Sequence, residues 1–152
     1  MNEPLNIPVE SPIDIVTIDG KTVLFDPIRK KNIIYTPEEW VRQHFIRYLN
    51  ESLGYSYALM STERGLTTNQ RLKRTDILVY DNLGNPRILV ECKAWSVPLT
   101  NSVLYQATEY NSKLKAPCLI LTNGLKHLVL IWNNKKGMFE QAQNIPSKDI
   151  VL

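Results

Sequence analysis

RTDILVY (Arg74–Tyr80) and RILVECKAW (Arg87–Trp95), separated by the six residues DNLGNP, decide how this chain is read. Both runs have the short, β-branched, apolar character of buried strands, and the Asn, Gly and Pro between them suit a turn, so together they predict a hairpin. Successive side chains of a strand point to opposite sides, so Glu91 and Lys93 share a face and Cys92 looks away. If residues 81–86 close symmetrically, Tyr80 pairs with Arg87, and the same register sets Asp76 directly against Glu91. Opposed residues of an antiparallel pair have Cβ atoms about 4.5–5.5 Å apart. Two carboxylates that close repel, and one must take up a proton unless a cation lies between them. Carboxylate oxygens suit Mg²⁺, which keeps water and phosphate oxygens as its other ligands. The plainer alternative is a salt bridge in which Lys93 neutralises a carboxylate on a solvated face. Against it, Glu91 follows Ile-Leu-Val in what reads as a central strand, where charge is rarely buried without a role.

Outward from the hairpin, the chain alternates helical and extended signals. IVTI and TVLF flank Asp19-Gly20-Lys21, an Asp-Gly hairpin signal. YTPEEWVRQHFIRYLNESLG predicts a helix from Pro37 to about Leu53, with Thr36 as N-cap, Pro37 at the first position and Gly54 closing it. Trp40, Val41, His44, Phe45, Tyr48 and Leu49 form its apolar face, which makes His44 a core histidine. YALMST predicts a short strand, and TERGLTTNQRLKR (residues 62–74) a basic loop. Beyond Pro98, Val103, Ala107, Tyr110 and Leu114 recur at steps of three and four and predict a second helix. CLILT and HLVLIW predict two more strands joined through Asn123-Gly124. The rest carries no clear pattern, so the expected organisation is a single domain, 1–152: an N-terminal hairpin extension over 1–32, a core over 33–132 and a C-terminal tail over 133–152. Its fold class is α/β, a central mixed sheet flanked by helices.

With 152 residues, 43% of them hydrophobic, the chain suffices for one ordinary domain and is short for two. There is neither a long apolar run nor a leader-like start in MNEPLNIPVESP, so a cytoplasmic location is the default expectation. Cys92 and Cys118 lie inside apolar runs without metal spacing and read as reduced core residues. His44 and His127 have neither metal nor triad spacing, and no phosphate-cradling P-loop motif is present. The net charge is +3, and residues 62–74 alone carry four basic side chains against one acid. Arg64, Arg71, Lys73 and Arg74 are therefore candidates for phosphate contact, the alternative being a solvated loop.

RTDILVY with ILVECKAW resembles the PD-(D/E)XK nuclease signature. Together with TPEEWVRQHFI, QATEYN and LILTNG, it is similar to the N-terminal nuclease domain of type I restriction enzyme R subunits, from about Ile33 to Trp132. One departure is that Thr75 stands where the signature has proline. The resemblance implies a restriction-endonuclease-like core of order αβββαβ. It also implies Mg²⁺-dependent hydrolysis of DNA, endo- or exonucleolytic, with Mn²⁺ able to substitute. Asp76, Glu91, an acid of the first helix and the backbone carbonyl of Cys92 would hold the metal. Glu38 lies toward the buried edge of that helix and is the better candidate for that acid; Glu39 stands three residues after Thr36, where a capping box accounts for it. Lys93 would orient or help deprotonate the attacking water and offset phosphate charge. Gln106 and Tyr110, four apart on one helix face, match the Gln-x-x-x-Tyr motif and would position DNA or support the site. DNA is the implied partner, with separate translocase, methylation or specificity subunits. A non-catalytic DNA-binding or assembly module that keeps the fold is the rival from another class.

Overall fold

The computed structural model describes residues 4–62, 65–68, 71–74, 77–150 and 152, with the backbone alone for 65–68 and 71–74. Asp76 and Arg64, two of the expected site residues, lie outside the described residues, as do the side chains of Arg71, Lys73 and Arg74.

The chain begins with a three-stranded antiparallel sheet, β1 (Ile15–Ile18), β2 (Lys21–Asp26) and β3 (Lys31–Ile34). Asp19 and Gly20 both take positive φ, 49° and 72°, the two-residue turn that suits the twist of paired strands. The sequence reading expected that hairpin but not β3. KNII is four residues long with a single buried side chain, too short for alternation to show. Helix α1 (Pro37–Glu51) follows as expected, with the Glu39 N–H donating to Thr36 Oγ1 at 3.0 Å. Leu24, Ile33 and Trp40 pack together and dock the small sheet on the first turns of α1.

The main sheet has six strands in the order β11-β10-β9-β8-β7-β4. They are β4 (Met60–Ser61), β7 (Ile77–Tyr80), β8 (Pro86–Cys92), β9 (Cys118–Thr122), β10 (His127–Asn133) and β11 (Met138–Ala142). β8 and β9 run parallel, joined by helix α2 (Asn101–Leu114); the other neighbours are antiparallel. α1 covers one face, where Val41, Phe45 and Leu49 meet Ile77, Val79, Val90 and Cys92. α2 covers the other, where Ala107 and Tyr110 meet Leu78, Leu89, Leu119 and Leu121. β8, expected to be central, is central and buried on both faces.

Four expectations are corrected. Tyr80 pairs with Pro86 rather than Arg87, through a bulge after Val79. The cause is turn chemistry: Asp81 Oδ1 accepts the N–H groups of Leu83 and Asn85, both at 2.9 Å, closing a five-residue loop that leaves Pro86 to the strand. The inner pairs, Ile77 with Val90, Leu78 with Leu89 and Val79 with Ile88, keep the expected register. Second, YALMST forms a 3₁₀ turn (Tyr57–Leu59) capped by Ser56 and only two strand residues. Third, the expected basic loop contains two paired strands, β5 (Gly65–Thr68) and β6 (Arg71–Arg74), with Gly65 opposite Arg74. Fourth, the expected tail supplies β11, an edge strand paired to β10. Its residues MFEQA alternate too weakly to read, because an edge strand buries little on either side.

Candidate nuclease site

β8 leaves the covered part of the sheet at its carboxyl end. Leu89 is buried under α2, whereas Glu91, two residues on and on the same face, keeps 24% of its side chain exposed. Lys93 is 27% exposed, and its Nζ lies 3.4 Å from Glu91 Oε1. The expected shared face of Glu91 and Lys93 is thus observed. Cys92 turns to the α1 face and is fully buried. Cys118 is buried as well, and desolvation pushes its thiol up to about 12. Both are free thiols inside the core.

The end of β8 is tied to β9 by the Lys93 N–H, which donates to the Thr122 carbonyl at 2.8 Å. Thr122, Asn123 and Gly124 then build a rigid turn. Asn123 Oδ1 accepts the N–H groups of Leu125 and Lys126 at 3.0 and 2.9 Å, and its amide donates to the Val97 carbonyl at 2.9 Å. The Thr122 hydroxyl accepts from the Gly124 N–H at 2.9 Å and lies 2.8 Å from His127 Nδ1. His127 Nε2 faces the Asn6 carbonyl at 2.8 Å, and a carbonyl only accepts, so Nε2 donates there. His127 is accounted for as a bridge between the turn and the N-terminal arm.

α2 lies on the Glu91 face. Tyr110 is buried against Leu89 and Leu121, while Gln106, one turn nearer the carboxyl end of β8, is exposed. Thr100 caps α2 by accepting the Val103 N–H.

The two acids of α1 part company. Glu39 is taken up by Arg29, 3.2 Å away, and by Arg42 in a close ion pair, and is 13% exposed. Glu38 is 44% exposed and 3.1 Å from Arg42. α1 as a whole packs on the sheet face opposite that of Glu91. Behind Glu39 stands Asp26, fully buried, which accepts from the Ile28 and Arg29 N–H groups, from Arg29 Nε at 2.6 Å and from Gln43 Nε2 at 3.0 Å. Burial pushes the Asp26 carboxyl up, but the Arg29 N–H, the Arg29 guanidinium and the Ile28 N–H outweigh it and hold it below the usual carboxylate range. Sequence reading missed this network because Gln43 is polar and its burial breaks the pattern of the helix face. The readable signal was Asp26-Pro27, an Asx-turn start. His44 is the expected core histidine: its Nδ1 donates to the Trp40 carbonyl at 2.8 Å, and burial holds its imidazole below its ordinary value.

Among the described residues no three His, Cys, Asp or Glu side chains form a group able to hold a metal. Glu91 and the Cys92 carbonyl are hard oxygen donors without a competing sulfur, a set that fits Mg²⁺ rather than zinc. Among the described residues no helix is long and apolar enough to cross a membrane.

The fold with these features has a counterpart among solved structures. A fragment of a putative HsdR subunit of a type I restriction enzyme from Vibrio vulnificus YJ016 superposes with a TM-score of 0.55 at 19% identity, over 74% of this chain and 24% of that one. The chain therefore corresponds to about a quarter of that fragment's length. The DrdV protein of a DrdV–DNA complex gives a TM-score of 0.45 at 20% identity, over 74% of this chain and 10% of that one. No curated protein matches. The sequence profile described as type I restriction enzyme R protein N terminus (HSDR_N) matches residues 37–146, from the first turn of α1 past β11. The chain belongs to the family of type I restriction enzyme R protein N termini.

Proposed function

We propose that this chain hydrolyses phosphodiester bonds of DNA with the help of a divalent metal, Mg²⁺ or in its place Mn²⁺, as a nuclease domain of a restriction-modification system. The observation that carries the reading is the side-by-side placement of Glu91 and Lys93, partly exposed, at the carboxyl end of the central strand. Asp76 directly precedes Ile77 in sequence, and Ile77 pairs with Val90, the residue before Glu91. Asp76 and Glu91, with the Cys92 carbonyl, would hold the metal. Once bound, the metal polarises the phosphate and stabilises charge in the transition state. Lys93, drawn toward Glu91 in this structure, would turn to the phosphate or to the attacking water. Glu38 would join only by leaving Arg42. Gln106, exposed on the same face, would touch the DNA, with Tyr110 as its buried support. Arg64, Arg71, Lys73 and Arg74 would contact phosphates without reading sequence. Translocase, methylation or specificity subunits would be partners on separate chains or domains.

The test incubates purified protein with linear, circular and single-stranded DNA in Mg²⁺, Mn²⁺ or EDTA, beside Asp76→Ala and Lys93→Ala. Metal-dependent cutting that both substitutions abolish is the expected result. Salt-sensitive binding without cutting would instead make the chain a DNA-binding module. No affinity in any of the three proteins would leave a structural α/β domain.

A further inference from the structure

The turn after β9 and the loop after β8 enclose a groove of about 520 Å³ between Trp95, Val97 and Leu99 on one side and Asn123, Leu125 and Lys126 on the other. We infer that this groove is a nucleotide subsite, taking the sugar and base that flank the scissile phosphate while Lys126 holds the adjoining phosphate. The inference rests on the nuclease reading above and adds to it a place for the strand beyond the cut.

Three observations carry it. The first is position: the groove opens at the carboxyl ends of β8 and β9, the one parallel pair of the main sheet, where Glu91 and Lys93 also emerge. A strand of DNA lying across Glu91 and Lys93 would therefore run on toward this groove. The second is chemistry. Val97 and Leu125 are each 37% exposed, beside the partly exposed Trp95, and Lys126 is exposed at the rim. None of the lining residues is acidic. An apolar floor with a cation at its rim and no anion matches a nucleotide, whose base and sugar have apolar faces and whose phosphate is anionic. The third is preorganisation. The Asn123 side chain spends itself on three backbone partners, Val97, Leu125 and Lys126, so one residue sets both walls of the groove. Lys93 is fixed to the same turn through Thr122. Walls held by such bonds do not have to be ordered when a strand arrives, which lowers the cost of binding.

The test uses the whole chain with Lys126→Ala, Lys126→Arg and Leu125→Glu, three substitutions at exposed positions. Cleavage of duplex and single-stranded oligonucleotides is followed in Mg²⁺ across a salt series. Lys126→Ala should raise KM about tenfold with kcat little changed and lower the salt slope by about one, the signature of one lost phosphate contact. Lys126→Arg should restore most of both. Leu125→Glu should raise KM more, by placing an anion against the strand; if it fails to fold, Lys126→Ala alone decides. Should the protein bind DNA without cutting it, the same shifts are read in Kd. Wild-type cutting with KM and salt slope unchanged in Lys126→Ala would overturn the subsite and leave the nuclease intact. Absence of both cutting and binding in the wild type would overturn the two together.

Discussion

Lys93 Nζ lies 3.4 Å from Glu91 Oε1 at the carboxyl end of the central strand, with 27% and 24% of the two side chains exposed. A single ion pair that water still reaches gives little stability, about 0–1 kcal/mol. Lys93→Ala and Glu91→Gln should therefore shift the unfolding free energy by no more than about 1 kcal/mol. DNA cutting in Mg²⁺ should fall at least about a hundredfold in each, the loss expected when one group that stabilises transition-state charge is removed. Urea unfolding set against cleavage rates checks this. A large loss of stability with activity retained would return the pair to a purely structural role.

Asp26 predicts the opposite balance. Its carboxylate is fully buried and held by Arg29 and Gln43. Asp26→Ala should cost about 3–5 kcal/mol, because Arg29 is left without its buried partner. The pH dependence follows from the lowered pKa of Asp26. Its contribution is complete above the unfolded carboxyl pKa of about 3.9 and is lost as pH falls through the lower folded value. The gap in stability between wild type and Asp26→Asn should narrow as pH drops from 5 toward 2. A gap independent of pH in denaturant titrations would mean that the carboxylate charge contributes nothing.

Gly124 tests how far the turn beside Lys93 tolerates change. Its φ is +85°, and a Cβ there would come within 2.8 Å of Leu5 Cδ2 and 3.1 Å of Val41 Cγ2. Gly20 has φ +72° but open space around it. Gly20→Ala should cost about 1 kcal/mol from backbone strain alone. Gly124→Ala should cost about 2–4 kcal/mol, adding the misfit of an overpacked core. Thermal melts of the two variants side by side measure the difference. Equal losses would mean that the N-terminal arm around Leu5 gives way freely.

What the sequence displayed and what it hid follow from how each residue is held. The inner register of β7 on β8 came out as expected although its premise, Tyr80 paired with Arg87, did not, because the bulge after Val79 takes up the residue by which the turn differs. Tyr80 was misplaced because a single side chain, Asp81, sets the loop length, and composition alone does not count that. Helix α1 was legible from Thr36, Pro37 and Gly54, whereas burial of Gln43 was not, since its partner Asp26 lies 17 residues away in sequence. In the candidate site, Glu91 and Lys93 could be placed together by alternation alone. Lys126 escaped notice because nothing local marks it: its closeness to the end of β8 arises from the parallel pairing of β8 with β9.

Arg87 supplies the last prediction. Its guanidinium donates to the Ser147 carbonyl at 3.1 Å and to that of Ile150, and its Nε donates to Tyr55 Oη at 3.3 Å. The Tyr55 hydroxyl in turn donates to the Pro146 carbonyl at 2.6 Å. One arginine on β8 thus secures the C-terminal segment by its backbone, with no acidic partner in these bonds. Bonds to a charged donor contribute about 1.5–3 kcal/mol each, so Arg87→Ala should free this segment locally by at least tenfold in its opening equilibrium. Lys148 lies within it, which gives a direct readout in trypsin cleavage at Lys148 under native conditions. Cutting there should speed up by about the same factor while the global urea midpoint moves less than for Asp26→Ala. Cleavage no faster than in the wild type would show that packing of Ile145 against the core, rather than Arg87, holds the C-terminus in place.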